Sequence, residues 1–213
     1  ENYVTVLRKD PLLAGSLRYN RLTEKIDVTK ILWWNKEPCV LTNKGRKALR
    51  YFFEKYYGLF NESVTDDALG LEAYSREYHP ICEYLENLEW DGKERIRNVL
   101  KVYMGAEDSD MVYEMLKHFM MGALNRIYCP GCKFDEMLCL VGQQGAGKST
   151  FFRFLALDDQ WFSDSLKNLN MEKPYGLLRG HWIVEMSEMT AAISAKSIEE
   201  TKFFLSRMKE THR

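Results

Sequence analysis

Residues 142–150 form a glycine-rich segment whose spacing is suited to phosphate chemistry. They match the phosphate-binding loop pattern G-x-x-x-x-G-K-[ST], with Gly142, Gly147, Lys148 and Ser149 in the defining positions. The glycines let successive backbone N–H groups face phosphate oxygens, and the helix that follows adds the positive end of its dipole. Lys148 would reach the β- and γ-phosphates, and the Ser149 hydroxyl would ligate Mg²⁺. The predicted contacts to ATP are Gly142, Gln143, Gln144, Gly145, Ala146, Gly147, Lys148, Ser149 and Thr150.

A second chemical signal is a pair of acids later in the chain. Nucleotide hydrolysis usually needs an apolar strand that ends in an acid, which holds Mg²⁺ and orients the attacking water. The apolar residues 182–184 precede Glu185, and Glu188 follows three residues later. We expect Glu185 at the metal and Glu188 polarising water, while the opposite assignment stays open. In the alternative interpretation, Glu188 only begins a polar loop.

These residues need a strand and a helix to position them. Residues 137–141 are apolar throughout, which is typical of a strand buried on both faces. Residues 161–164 are expected to be extended, and residues 181–186 are a second apolar run. Residues 198–208 are expected to form a final helix. The segment after the loop has a helical apolar face formed by Phe151, Phe152, Phe154 and Leu155. Strand, loop and helix in this order predict an α/β P-loop NTPase core over residues 131–213.

A small basic module of mixed α and β structure is predicted over residues 1–78. Residues 2–7 and 31–34 have β-type composition. A helix is expected behind a Thr42 cap, and a second one over residues 63–78. The predicted apolar face of that second helix consists of Val64, Ala68, Leu71 and Tyr74.

A helical collar or linker is predicted over residues 79–130. His79-Pro80 favours the start of a new element, Gly105 ends one helical stripe, and residues 111–127 form a long helix. Cys129-Pro-Gly-Cys132 follows, and we interpret it as a turn because no second cysteine or histidine pair completes a tetrahedral set. A redox or zinc site is the alternative interpretation.

The composition is that of a globular protein, 46% hydrophobic and 29% charged. No run approaches 18 apolar residues and no signal-like segment opens the chain, so we expect no membrane association. Five cysteines without regular spacing favour a reducing cytoplasm, that of a bacterium or a phage-infected host. Because the chain begins with Glu1 rather than Met, we expect it to be a piece of a longer protein.

Charge is unevenly distributed along the chain. Residues 1–57 carry a net charge of +6, whereas residues 58–110 carry −8. The basic residues Lys44, Arg46, Lys47 and Arg50 fall on one helical start, near Trp33 and Trp34. They are interpreted either as contacts to a nucleic-acid backbone or as a solvated helix face over an apolar core.

Several stretches together resemble the virulence-associated protein E family of phages, prophages and mobile elements. The matching stretches are residues 78–80, 84–85, 88–92, 130–135, the phosphate-binding loop, 180–188 and 202–207. The resemblance covers roughly residues 75–213 well and residues 1–74 loosely. Only the phosphate-binding loop is generic, and the other stretches together are specific to the family.

This resemblance implies an AAA+-type core related to superfamily 3 helicases, truncated at its C-terminal end. Such proteins act on DNA, single-stranded or forked, beside a primase, and they form homo-oligomeric rings with ATP between subunits. A polar sensor residue and an arginine finger are expected beyond Arg213. We therefore expect this chain alone to bind ATP but to hydrolyse it poorly.

Two other functions stay open at this stage. A small-molecule P-loop kinase would need a lid with several arginines, whereas Arg153, Arg179 and Arg207 do not cluster in the sequence. A non-enzymatic nucleotide-binding protein, used in phage interference or DNA binding, is the other alternative.

Overall fold

The computed structural model describes residues 1–166 and 178–186 of the chain. The chain divides into two compact units, Glu1–Glu86 and Asn87–Arg213. Within the described ranges, no helix has both the length and the apolar character needed to cross a membrane. Glu188 and the helix predicted over residues 198–208 lie outside the described residues.

The first unit combines a three-stranded antiparallel sheet with four helices. Its elements are α1 (Asn2–Lys9), β1 (Leu17–Asn20), β2 (Lys25–Val28), β3 (Cys39–Val40), α2 (Asn43–Tyr57), α3 (Glu62–Tyr74) and α4 (Pro80–Glu86). The strands lie in the order β1-β2-β3, with Leu17 opposite Val28 and Asp27 opposite Val40. Helix α3 packs against both α1 and β1, so one apolar core joins the helices to the sheet. The unit includes α4, which the sequence placed in the helical collar.

Helix α2 begins and ends where its capping residues require. The Thr42 side chain accepts a hydrogen bond from the Gly45 N–H, and Gly58 ends the helix in the left-handed conformation. Leu49 and Phe53 lie one turn apart on its inner face and are fully buried. The helix predicted behind the Thr42 cap is therefore confirmed.

Two segments with β-type composition do not form strands. Residues 2–7 lie in α1, where Tyr3 and Leu7 are one turn apart and both buried. Residues 31–34 are irregular, and the Leu32 N–H donates to Asn35 Oδ1 at 2.8 Å rather than to a neighbouring strand. The prediction of strands was wrong in both places, because packing against the core overrides a weak β-propensity.

The buried face of α3 also differs from the predicted one. Val64, Leu71 and Tyr74 are 38%, 63% and 54% exposed. The buried residues are Thr65, Ala68, Leu69, Glu72 and Ala73. Glu72 can lie on the inner face because its Oε2 accepts a hydrogen bond from Arg8 Nε at 2.6 Å. The apolar pattern therefore misses the buried face, which includes a paired carboxylate and shares only Ala68 with the predicted one.

The second unit has helices on the N-terminal side of a short parallel strand pair. Its described elements are α5 (Ile96–Met104), α6 (Asp110–Tyr128), α7 (Lys148–Leu155), a 3₁₀ turn (Asp159–Trp161), β4 (Phe162–Ser163) and β5 (Ile183–Val184). Gly105 ends α5 in the left-handed conformation, and the Ser109 side chain caps α6. Leu100, Leu116 and Phe151 form a buried cluster that joins the three helices. The helices predicted on either side of Gly105 are therefore confirmed.

Residues 137–141 do not form the buried strand that their composition predicts. The structure assigns them no strand, and Val141 is 98% exposed. A buried strand needs neighbours that satisfy its N–H and C=O groups. Among the described residues, β4 and β5 pair only with each other, so residues 137–141 have no strand partner there. The expected double-sided burial of this segment is therefore not observed.

Two helical glycines should respond in opposite ways to alanine. At Gly122 in α6, the space that a Cβ would need is filled by the ring of Phe134. Gly122→Ala should therefore lower the free energy of unfolding by about 1–3 kcal/mol. Gly70 in α3 has nothing within 4 Å of that position, so Gly70→Ala should raise it by about 0.5–1 kcal/mol. Urea unfolding followed by circular dichroism measures both changes, and a stabilising Gly122→Ala would contradict the packing of Phe134 on α6.

Candidate functional site

The phosphate-binding loop turns through two glycines before α7 begins. Gly145 and Gly147 both have φ of +81°, a region that residues with a side chain rarely adopt. Gly147 is the N-cap of α7, and its carbonyl accepts the first backbone hydrogen bond of the helix from the Phe151 N–H at 2.9 Å. The backbone at Gly147 thus explains why the motif requires glycine there, and Gly145 adopts the same conformation at a position that the motif leaves variable.

The first turn of α7 presents backbone donors. The N–H groups of residues 148–150 precede the first helical hydrogen bond and have no acceptor within the helix. No side chain caps the helix at Gly147, and its first turn contains no acidic residue. These N–H groups and the positive end of the helix dipole are therefore suited to an anion such as phosphate.

The Lys148 ammonium lies across the loop. Its Nζ donates to the carbonyl oxygens of Gly142 at 2.9 Å and Gln143 at 2.8 Å. These contacts hold a positive charge next to the N-terminus of α7. A phosphate oxygen carries more negative charge than a carbonyl oxygen and makes a stronger, charge-assisted hydrogen bond. Lys148 can therefore exchange its carbonyl contacts for contacts to phosphate.

Ser149 and Glu185 meet beside the loop, although 36 positions separate them in the sequence. The Ser149 hydroxyl donates to Glu185 Oε1 at 2.7 Å. Glu185 follows β5 directly, and its N–H donates to the Ser163 carbonyl at 2.7 Å, which continues the pairing of β4 with β5. The strand pair thus fixes the backbone of Glu185, and α7 fixes the hydroxyl.

The second carboxylate oxygen of Glu185 has no partner among the described residues. Glu185 Oε2 is buried and accepts no hydrogen bond. A buried carboxylate oxygen without a donor is costly, so such an atom points to a ligand. Hydroxyl and carboxylate oxygens are the donors that Mg²⁺ prefers, together with phosphate oxygens. Ser149 and Glu185 therefore fit a magnesium ion held jointly with a nucleotide.

The protein offers no complete metal cage in its described part. No group of three or more His, Cys, Asp or Glu side chains lies close enough to hold an ion there.

Cys129 and Cys132 are exposed free thiols, and the Cys132 N–H donates to the Cys129 carbonyl at 3.0 Å. This hydrogen bond closes the predicted backbone turn, while the redox or zinc alternative is not tested.

Tryptophan residues anchor the acidic strand, a role that sequence reasoning did not identify. The buried Trp182 donates its Nε1 to the Ala123 carbonyl of α6 at 2.8 Å. Its backbone N–H donates to the Trp161 carbonyl at 2.7 Å. These bonds set the register that places Glu185 opposite α7. Trp161 and Trp182, near the starts of the two segments that pair, were the available signal for buried anchors, but the sequence does not show which groups they contact.

The structure brings together most of the site predicted from the sequence. The loop, Lys148 and Ser149 lie at the N-terminus of α7, and Glu185 contacts Ser149. The position of Glu188 lies outside the described residues, so its role stays a prediction.

Comparison with protein families yields a match in the C-terminal part of the chain. The model of the Virulence-associated protein E-like domain matches residues 85–213. Comparison with curated proteins gives no significant match. The matched segment covers more than half of the chain and contains the loop, Ser149 and Glu185. The chain belongs to the family of virulence-associated protein E-like domains.

Proposed function

We propose that this chain binds ATP with Mg²⁺ and hydrolyses ATP as part of a motor that acts on DNA. The observation that carries the proposal is the Ser149–Glu185 hydrogen bond of 2.7 Å beside the phosphate-binding loop, with Glu185 Oε2 buried and unpaired among the residues that the structure describes. A hydroxyl and a carboxylate at this place are suited to ligate a divalent cation that also binds a phosphate.

Each residue has a distinct part in this proposal. The N–H groups at the start of α7 bind phosphate oxygens, and Lys148 neutralises their charge. Ser149 and Glu185 hold Mg²⁺ directly or through water. When bound, Mg²⁺ supplies positive charge that stabilises the charge developing on the phosphoryl oxygens. Glu188 is proposed to polarise the attacking water.

The fold of the second unit supports an AAA+-type assignment, related to superfamily 3 helicases. A phosphate-binding loop leads into a helix, α7 contacts both β4 and β5, and an acid ends the parallel strand β5. Family membership supports an association with phages or plasmids. We therefore propose that the whole protein forms a ring and works beside a primase in replicating such an element.

Removal of the Lys148 ammonium should abolish tight nucleotide binding. Lys148→Ala loses charge-assisted hydrogen bonds to phosphate, worth about 1.5–3 kcal/mol each, so affinity should fall at least about tenfold. Isothermal titration with ATP and Mg²⁺ measures the change. Arg153→Ala is the matched control, because it removes a cation of the same helix that pairs with Asp159 at 3.2 Å. Unchanged ATP affinity in Lys148→Ala would contradict the assignment of the loop.

The magnesium dependence of binding should reside in the Ser149–Glu185 pair. Glu185→Gln keeps an oxygen that accepts the Ser149 hydrogen bond but removes the negative charge that a cation needs. We expect ATP to bind more tightly with Mg²⁺ than with EDTA in the parent chain, and the difference to shrink in Glu185→Gln and Ser149→Ala. Glu114→Gln, an exposed acid paired with Lys117 in α6, is the control. A full magnesium effect in Glu185→Gln would place the ion elsewhere.

Action on DNA requires that ATP turnover respond to DNA. We expect single-stranded DNA to raise the ATPase rate of the protein, and Glu188→Gln to slow turnover while ATP stays bound. A steady-state phosphate-release assay with and without DNA measures both effects. Turnover that DNA leaves unchanged, with normal ATP binding, would instead favour a non-motor nucleotide-binding protein.

A further inference from the structure

The outer face of α2 carries a row of cations and an aromatic ring. Lys44, Lys47, Tyr51 and Lys55 follow one another at intervals of three or four residues, so they lie on one side of the helix. All four are exposed, and the buried Phe53 lies on the opposite side. The row extends about 16 Å along the helix axis. The first unit thus presents a long strip of positive charge to solvent.

Neighbouring arginines are neutralised within the fold, whereas the lysines of the strip are not. Arg46 forms an ion pair with Asp66 at 2.6 Å, and Arg50 pairs with Glu62. Both acids lie in α3, so these arginines tie the two helices together. The three lysines of the strip have no ion-pair partner among the described residues. The hypothesis that Arg46 and Arg50 contact nucleic acid is therefore replaced by one that rests on the lysines.

Exposed aromatic rings lie beside these lysines. Trp33 stacks on Phe52, with ring centroids 4.8 Å apart and planes inclined by 25°. The ring centroids of Phe52 and Tyr56 are 4.9 Å apart. The Lys55 Nζ lies 5.6 Å from the ring centroid of Tyr51 and 5.2 Å from that of Tyr56. Trp33, Tyr51 and Tyr56 are 48%, 58% and 61% exposed. Two exposed rings against Lys55, and a third linked to Tyr56 through Phe52, are more than core packing requires.

We propose that this face binds single-stranded nucleic acid. We call it the α2 platform, and it consists of Trp33, Lys44, Lys47, Tyr51, Lys55 and Tyr56. Lysines neutralise phosphates, and aromatic rings stack on bases that a duplex keeps inside its own stack. The inference deepens the proposed action on DNA by naming a surface that holds the strand. This surface belongs to the first unit, and its binding requires no nucleotide at the loop.

The test is the binding of a fluorescein-labelled oligothymidylate to the 213-residue chain, followed by fluorescence anisotropy across a salt titration. For single strands, each phosphate contact contributes about 0.7 to the slope of log affinity against log salt. Replacing Lys44, Lys47 and Lys55 together with Gln should therefore flatten the slope by about 2. Tyr51→Ala and Tyr56→Ala should each weaken binding roughly 5- to 100-fold without changing the slope.

Matched control variants distinguish binding by the α2 platform from an effect of positive charge anywhere on the protein. Gln at the exposed Lys9, Lys25 and Lys93 removes the same charge elsewhere and should leave the slope nearly unchanged. Lys148→Ala should lose ATP binding but keep oligonucleotide binding, so failure of the nucleotide site and failure of the platform give different results. Thermal unfolding of each variant verifies the fold, since the replaced side chains are exposed.

Two outcomes would overturn the proposal. One is an equal change of slope in the platform and control variants, which would mean that charge alone drives binding. The other is a duplex of the same length that binds as tightly as the single strand, together with full affinity in both tyrosine variants.

Discussion

The hydrogen bond between Ser149 and Glu185 joins the two parts of the second unit on which the proposed chemistry depends. One partner belongs to the first turn of α7, and the other follows β5. Its length of 2.7 Å requires that the helix and the strand keep a fixed relation. That relation is maintained by the parallel pairing of β4 with β5 and by the hydrogen bond from Trp182 to α6. The remaining carboxylate oxygen is then held beside the loop, and no donor from the described part of the chain reaches it.

Helix α2 of the first unit has one face in the core and the opposite face exposed to solvent. The inner face of α2 contributes Leu49 and Phe53 to the core, while the lysines of its outer face form no ion pair with any described residue. Ion pairs from Arg46 and Arg50 to α3 lie between these faces and fix the helix in place. Surface ion pairs of this kind contribute little stability individually, about 0–1 kcal/mol. Their clearer consequence is that they remove two cations from the set available to a polyanion.

Sequence reasoning succeeded where the chemistry is local. The loop spacing, the Thr42 cap and the left-handed Gly105 are each determined by a few adjacent residues, and the structure agrees with them. Its predictions were wrong where contacts between residues far apart in the sequence determine the structure. The burial of Glu72 depends on Arg8, and the pairing of Arg46 depends on Asp66. No periodicity within one helix contains that information.

In the candidate site, too, the sequence predicted the residues but not the contacts between distant segments. The sequence predicted Glu185 from an apolar run that ends in an acid, but the contact with Ser149 depends on strand pairing. The anchoring of β5 by Trp182 could not be predicted, because it requires the position of the Ala123 carbonyl in α6. Phe154 shows the limit of amphipathic patterns, since it lies on the predicted apolar face and is 76% exposed.

The central claim is that Glu185 and Ser149 hold a divalent cation together with a nucleotide. Electron paramagnetic resonance of Mn²⁺, used in place of Mg²⁺, tests it most directly because it detects the ion rather than turnover. We expect the signal of free Mn²⁺ to fall when ATP is added to the chain, beyond the fall that ATP causes alone, and this extra loss to disappear in Glu185→Gln. An identical extra loss in Glu185→Gln, or none in the parent chain, would contradict the account.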